Sequence, residues 1–435
     1  MRGMLCAAVT AALASANAGA ADWTKVLDSG PGFPTRLAVR GLAIDDAGFV
    51  AVQTYNRLAW SGQIEFIHEY TLDANGQVPW IWGLVGRGYS EGFAPRGVDQ
   101  RDGFRLIALE RTDDAWSPVR DELAVVQPGS SQPSGWLSEP RIDGHVVGAV
   151  SGGHEGGFAL RALDAGAGFE VVAFDGPSPR WRTTVQPCAP GAAPQHLTID
   201  YASPLAWPMP HAVSVAGSCD DGIGPVQIFV QRFDTQDGTP AALDARFANP
   251  DAELLQLAFS PTHEAVAVFG TPWPHKEVHR IGAPGAPSLP PDLLFMDQVT
   301  AFAPGAGDGL AIVGTDFAGE PAVATVKPFQ PTSFPLPQAG LSAFPGGGWA
   351  FASGRDDRRL AFRVETGGLT PLLRLVGLDA FGGLEWTGTI ADVLDGSVPQ
   401  AIPAKDPAGG FVVAVDTQDA NGTIGVHVQR AGSLP

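Results

Sequence analysis

The sequence predicts an all-β fold, a β-propeller of eight four-stranded blades. Three observations predict it. The 55 glycines and 38 prolines are about a fifth of the 435 residues, and both punctuate short strands rather than extend helices. Runs with strand-type alternation follow one another in fours, joined by tight turns. The residues that close each third strand (Leu72, Val126, Leu163, Phe233, Ile281, Val326, Val364 and Ala431) recur about every fifty residues, the length of a propeller blade. A hydrophobic content of 44% sets the chain apart from disordered Pro/Gly-rich sequences.

Unit one contains Leu42–Asp45, Gly48–Tyr55, Ile64–Leu72 and Val78–Trp82, its last pair joined by an Asn75-Gly76 hairpin turn. Unit two has Arg96–Val98, Phe104–Glu110 and Leu123–Gln127, with a weak fourth strand. Unit three reads as Pro140–Ile142, Val146–Val150, Phe158–Leu163 and Phe169–Phe174. Unit four reads as His196–Asp200, His211–Ala216, Val226–Phe233 and Leu243–Phe247. Units five and six run from Leu254 to Met296 and from Val299 to Leu336. Unit seven reads as Gly340–Phe344, Trp349–Ala352, Leu360–Val364 and Leu372–Val376. Unit eight has Gln400–Ala404, Phe411–Val415 and Ile424–Arg430, then the chain ends. Asp22–Leu27 is a spare strand that can complete this last blade and close the ring, removing an exposed sheet edge. Pro177–Pro194 and Ala380–Val398, the latter with a surplus strand Leu384–Ile390, fit the count poorly. Seven blades is therefore the alternative.

The first twenty residues, MRGMLCAAVTAALASANAGA, read as a secretory signal peptide: one Arg, an apolar stretch, then Ala18-Gly19-Ala20. Residues 21–435 then form a single propeller domain, secreted or periplasmic, with no membrane insertion expected. Without the leader, 26 Lys+Arg face 46 Asp+Glu, a formal charge of −20. That charge repels nucleic acid and anionic membrane surfaces. In an oxidising compartment the two remaining cysteines, Cys188 and Cys219, are expected to pair.

Ile64–Trp80 (IEFIHEYTLDANGQVPW) and Val226–Thr239 (VQIFVQRFDTQDGT) resemble the FxVxxLDxxGxxxW units of bacterial exported β-propeller repeats of the delta-60 and SBBP type. Asp406–Arg430 resembles the DxxGGxxVxG half of the same unit. The resemblance implies a propeller at the cell envelope or outside it, and no chemistry.

In a propeller, second-to-third loops share a face with the connections between blades. On the strand order above, that face gathers Asp113, Asp114, His154, Glu155, Asp220, Asp221, Asp316, Asp356, Asp357, Asp416 and Asp419 with Tyr55, Trp60, Trp116 and Trp273. Carboxylates beside aromatic rings suit a cation, a basic peptide or a sugar. The expectation is a monomeric binding protein for a protein, peptide or carbohydrate ligand, needing no cofactor. Ca²⁺ is the one metal this chemistry favours, although Asp416–Gly422 misses the spacing of a calcium loop. The rival expectation is a carbohydrate-active lyase or glycosidase. Against it, Tyr is rare (4) and no His/Tyr/Arg set recurs where these loops converge. The His275-Lys-Glu-Val-His279 stretch runs into a strand, Glu277–Ile281, not the helix a metalloprotease motif needs, and Ser151-Gly-Gly-His154 lacks a nucleophile elbow. Asp45, Asp46 and Asp99 read as turn formers.

Overall fold

Along Gly157–Leu163, successive side chains point to opposite faces of the sheet. Phe158 and Leu160 pack against one neighbouring sheet, and Ala159 packs against the other. Repeated along the chain, this alternation builds hydrophobic layers between sheets instead of one central core. Eight such layers lie between consecutive sheets. One of them, with Leu27, Val39, Val52, Val412 and Val428, joins the last sheet to the first. Eight layers between eight sheets close a ring, an eight-bladed β-propeller.

The computed structural model describes residues 22–432 apart from 28–34, 46, 59–64, 87–91, 114–116, 131–132, 167, 191, 203–210, 221, 223, 249–250, 261–262, 272–274, 282–290, 304–309, 327–334, 345–346, 369 and 405–408. The expected leader, Met1–Ala20, lies outside the described residues. Every blade is an antiparallel four-stranded sheet. From channel to periphery, blade 1 is Thr35–Ile44, Val50–Leu58, Glu65–Leu72 and Trp80–Gly86, and blade 2 is Gly92–Arg101, Phe104–Thr112, Pro118–Val126 and Pro133–Pro140. Blade 3 is Gly144–Ser151, Gly157–Leu163, Phe169–Phe174 and Pro179–Val185. Blade 4 is Pro194–Ala202, Ala212–Cys219, Gln227–Asp234 and Asp244–Phe247. Blades 5 and 6 begin on Glu253–Phe259 and Gln298–Ala303. Blade 7 is Ala350–Ser353, Arg359–Glu365, Leu372–Leu378 and Leu384–Ile390.

Blade 8 has Gln400–Pro403, Phe411–Gln418 and Ile424–Ala431, and its outer strand is the N-terminal Trp23–Leu27. Trp23 pairs with Arg430 and Leu27 with Val426. The expected closure by the N-terminal strand holds.

Two blades correct the strand order expected from sequence. In blade 3, Pro140 ends the outer strand of blade 2, and the innermost strand is Gly144–Ser151. Every expected position in that unit slips by one strand, and Pro179–Val185, inside the troublesome Pro177–Pro194 stretch, is the fourth strand. In blade 7, Ala339–Leu341 is a 3₁₀ turn rather than a strand, and the surplus candidate Leu384–Ile390 is the outer strand.

The Cys188–Cys219 disulfide forms as expected, tying the connection between blades 3 and 4 to the end of a second strand. It closes a loop of 31 residues, which by chain entropy stabilises the fold by about 3–4 kcal/mol. The Cys188→Ala/Cys219→Ala variant is expected to lose that amount in equilibrium denaturation. A reduced wild type should lose as much, and the variant should be insensitive to reductant.

Candidate functional site

Alternating strand directions give the ring two rims. First-to-second and third-to-fourth turns open on one, the first rim. Second-to-third loops and inter-blade connections open on the other, the second rim. Innermost strands are half-exposed where second strands are buried. All eight residues of Ala212–Cys219 are buried, whereas the adjacent inner strand Pro194–Ala202 is largely accessible. The sheet faces are covered by neighbouring blades, so an exposed residue inside an inner strand faces the central channel.

Six inner strands carry a β-bulge against the second strand, and bulges re-aim side chains. The extra residues are Arg40, Arg96, Val147, His196 with Leu197, Leu255 and Thr300. Apart from half-buried Leu197, all are exposed. His196 takes a left-handed conformation, φ 51°, and its Nδ1 lies 3.1 Å from Ser218 Oγ. Arg40, Arg96 and His196 thus give the channel wall three basic groups in a strongly acidic protein.

The face singled out from sequence divides on the structure. Asp113, Asp220, Asp316, Asp416 and Asp419 do belong to the second rim, but each carboxylate already serves the backbone. Asp113 accepts from Ser117 N–H at 2.9 Å, and Asp220 from Gly222 N–H at 2.8 Å. Asp316 accepts from Ala318 and Glu320 N–H groups. Asp419 accepts from Asn421 and Thr423, and these bonds hold its carboxyl below the ordinary range. Such bonds make Asx turns, the local role of Asp in loops. Asp416 is buried and accepts from Val39 N–H at 2.6 Å, clasping blade 8 to blade 1. Tyr55 packs into the layer between blades 1 and 2. Trp60, Asp114, Trp116, Asp221 and Trp273 lie outside the described residues.

His154, Glu155, Asp356 and Asp357 sit on the first rim instead, because the strand slips in blades 3 and 7 turn their loops into first-to-second turns. Blades 3 and 7 stand across the ring from each other, so the two pairs do not meet. Asp45, as expected, caps its own turn, accepting from Ala47 and Phe49, and it also receives Gly103 N–H and the Gln100 amide of blade 2. Asp46 lies outside the described residues. Asp99 instead accepts from Ser151 N–H of blade 3 at 2.7 Å.

The first rim holds the richest side-chain cluster. The tight Asp102-Gly103 turn, φ 50° and 76°, ends the inner strand of blade 2 and presents Arg101. The guanidinium carbon of Arg101 lies 4.7 Å from the ring centroid of Tyr201, at the end of the inner strand of blade 4. Phe158 stacks on the same ring at 5.7 Å. Tyr201 Oη is 3.2 Å from His211 Nδ1, which is 2.9 Å from Glu155 Oε1 of blade 3. Burial, then the Glu155 charge, pushes the Tyr201 phenol well above its ordinary pKa, so it stays protonated and donates. The phenol donates to Glu155, so His211 Nδ1–H can donate to the same carboxylate and leave Nε2 as an acceptor, and the ring remains 32% exposed. His154 is exposed beside it, with ring centroids 6.3 Å apart. Further round, His263 pairs with Asp200 at 2.6 Å.

Arg101, Tyr201 and His211 are thus a His/Tyr/Arg set on the rim opposite the one searched by sequence. Sequence reasoning named only His154 and Glu155 of this cluster. No group of three or more His, Cys, Asp or Glu suited to a metal ion occurs among the described residues. His275 and His279 flank and occupy the strand Lys276–Ile281, and His279 Nε2 contacts Glu277 at 3.1 Å.

No family model and no curated protein matches the chain. The propeller architecture is shown; membership of the delta-60 or SBBP repeats is not. Among solved structures, the chain is similar to a prolyl endopeptidase at 12% identity and a TM-score of 0.46, covering 91% of this chain and 54% of that one. It is similar to a puromycin-hydrolysing peptidase of Mycobacterium tuberculosis at 15% identity and a TM-score of 0.41, covering 90% and 60%. It is also similar to the WD40 domain of SCAP from fission yeast at 6% identity and a TM-score of 0.37, covering 95% and 98%. The chain therefore spans little more than half the length of the two peptidases. The eight-bladed ring rests on its own strand pairing.

Proposed function

We propose that the protein is an exported binding propeller whose ligand contacts the first rim over blades 2 to 4. The observation that carries this reading is the convergence of Arg101, Tyr201, His211 and Glu155 from three blades at the channel mouth. Donors and acceptors alternate there, and no single charge dominates. That suits a ligand rich in hydroxyls or amides, a glycan or a peptide. The disulfide supports an oxidising compartment, and no described helix is long and apolar enough to cross a membrane.

Glycan and peptide arrays probed with the full chain should return a ligand whose affinity drops at least about tenfold in His211→Ala. Glu155→Gln should weaken it less, since the amide still accepts a hydrogen bond. A ligand bound equally by wild type and both variants would place the site elsewhere.

A second reading, a polysaccharide lyase, draws on the same imidazole. Glu155 orients His211 so that Nε2 could remove a proton, with Arg101 near enough to offset a carboxylate. A uronan digest that raises ultraviolet absorbance with wild type and not with His211→Ala would favour it over simple binding.

A further inference from the structure

Between blades 2 and 3, where two inner-strand bulges face one another, lies a cleft of about 630 Å³. A glycine helps to open it: Gly97 stands beside the blade 2 bulge, and a Cβ added there would meet nothing within 4 Å. The cleft belongs neither to the first-rim cluster nor to the acidic loops of the second rim. Its volume lies within the ~300–1,000 Å³ range of small-molecule sites.

Its walls differ in kind. Val98, Leu106, Ala108, Leu123 and Val146 supply apolar surface. The acids that border it are already engaged. Asp99 receives Ser151 N–H at 2.7 Å. Asp121 receives Val146 N–H at 2.8 Å and Arg141 Nη2 at 2.6 Å. Arg141 is also paired with Glu110, at 2.7 Å. The cation at the mouth is more available: Arg96 pairs with Glu110 yet its side chain is 53% exposed, and the His145 imidazole beside it is exposed. A guanidinium can hold one carboxylate and still present further N–H groups to a second.

We propose that this cleft binds a small amphipathic monocarboxylate, its apolar body between the blades and its carboxylate on Arg96. Apolar burial supplies most of the affinity, and the charge-assisted bond to Arg96 selects the acid over the alcohol. The site is independent of the first-rim reading, and neither stands or falls with the other.

Sodium decanoate, titrated below its micelle concentration into the full chain by calorimetry, tests it. Saturable binding at one site is expected, displaced by anilinonaphthalene sulfonate. In Arg96→Gln, decanoate should bind at least about tenfold more weakly while 1-decanol binds as before. Ala108→Phe, which fills the cleft, should abolish both. Should that variant fail to fold, the Arg96→Gln comparison decides alone. Absence of saturable decanoate binding, or equal decanoate affinity in wild type and Arg96→Gln, overturns the proposal.

Discussion

Deleting Asp22–Leu27 is expected to cost several kcal/mol and to open the ring. The strand Trp23–Leu27 is paired along its full length with Val426–Arg430. Leu27 is 3% exposed and sits in the layer between blades 8 and 1. Trp23 donates its indole N–H to Ala74 O at 3.0 Å, and its ring lies against Gly76, where an added Cβ would come within 2.7 Å of it. The strand thus reaches across to the third-to-fourth turn of blade 1 while completing blade 8. Burial of Leu27 and Trp23 contributes about 2–3 kcal/mol each, and the lost ladder adds about 0.5–1.5 kcal/mol per hydrogen bond. Together these approach the whole stability of an ordinary domain. The truncated protein would also carry Ile424–Ala431 as an open edge, a template for strand pairing between molecules. Calorimetry should show a broad, lowered transition, and gel filtration should show association that the wild type lacks. A truncated chain that melts and elutes like the wild type would mean the closure is dispensable. The milder Leu27→Ala should cost about 3 kcal/mol with the ring still closed.

That closure was legible because both partners carry strong alternation and the chain ends one strand short. The slips in blades 3 and 7 have different causes. The outer strand of blade 2, Pro133–Pro140, mixes accessible and buried residues without an apolar run. It is easily passed over, and its end at Pro140 then reads as the first strand of blade 3. In blade 7 the turn at Ala339–Leu341 reads as a first strand, which leaves the true outer strand Leu384–Ile390 surplus. Either error shifts every later strand of the blade by one place. The spacing held the clue. On the observed order, third strands end at Leu72, Val126, Phe174, Asp234, Ile281, Val326, Leu378 and Ala431. Those steps run from 45 to 60 residues, whereas the expected order needed steps of 37 and 70.

The site was less legible than the fold because rim geometry depends on that phase. One missed strand exchanges the two rims for a whole blade, which is how His154 and Glu155 came to be grouped with Asp416. Tyr201 and His211 flank a long connection and carry no local motif, and Arg101, a hundred residues away, meets them only because the inner strands of blades 2 and 4 converge on the channel. Asp316 and Asp419, expected on a ligand face, are loop formers: like Asp73 and Asp379, each accepts from its own loop backbone. Their frequency reflects turn chemistry repeated blade by blade.

Glu69→Gln is expected to stabilise the protein at neutral pH and to leave it unchanged near pH 4.5. Glu69 is on the third strand of blade 1, fully buried, and neither carboxylate oxygen has a hydrogen-bond partner among the described residues. Burial pushes its pKa up to about 8, against the opposing pull of Arg105. Arg105 is itself 2% exposed and donates Nη2–H to Ser130 O at 3.1 Å. The folded state therefore holds a proton on Glu69 that the unfolded chain releases near pH 4.5. Where the native state binds more protons, stability falls as pH rises. The contribution is fully present below about 4.5, declines through neutrality and is lost by about pH 8. At about 1.4 kcal/mol per pH unit, the loss at pH 7 is roughly 3 kcal/mol. Glutamine resembles the protonated acid in shape and does not ionise, so the variant escapes this decline. Denaturation of the two proteins from pH 4.5 to 8 should give curves that start together and separate steadily, with the variant above. A constant difference across that range, or a variant less stable than wild type at pH 7, would show that Glu69 is ionised in the fold and that its charge is held by Arg105.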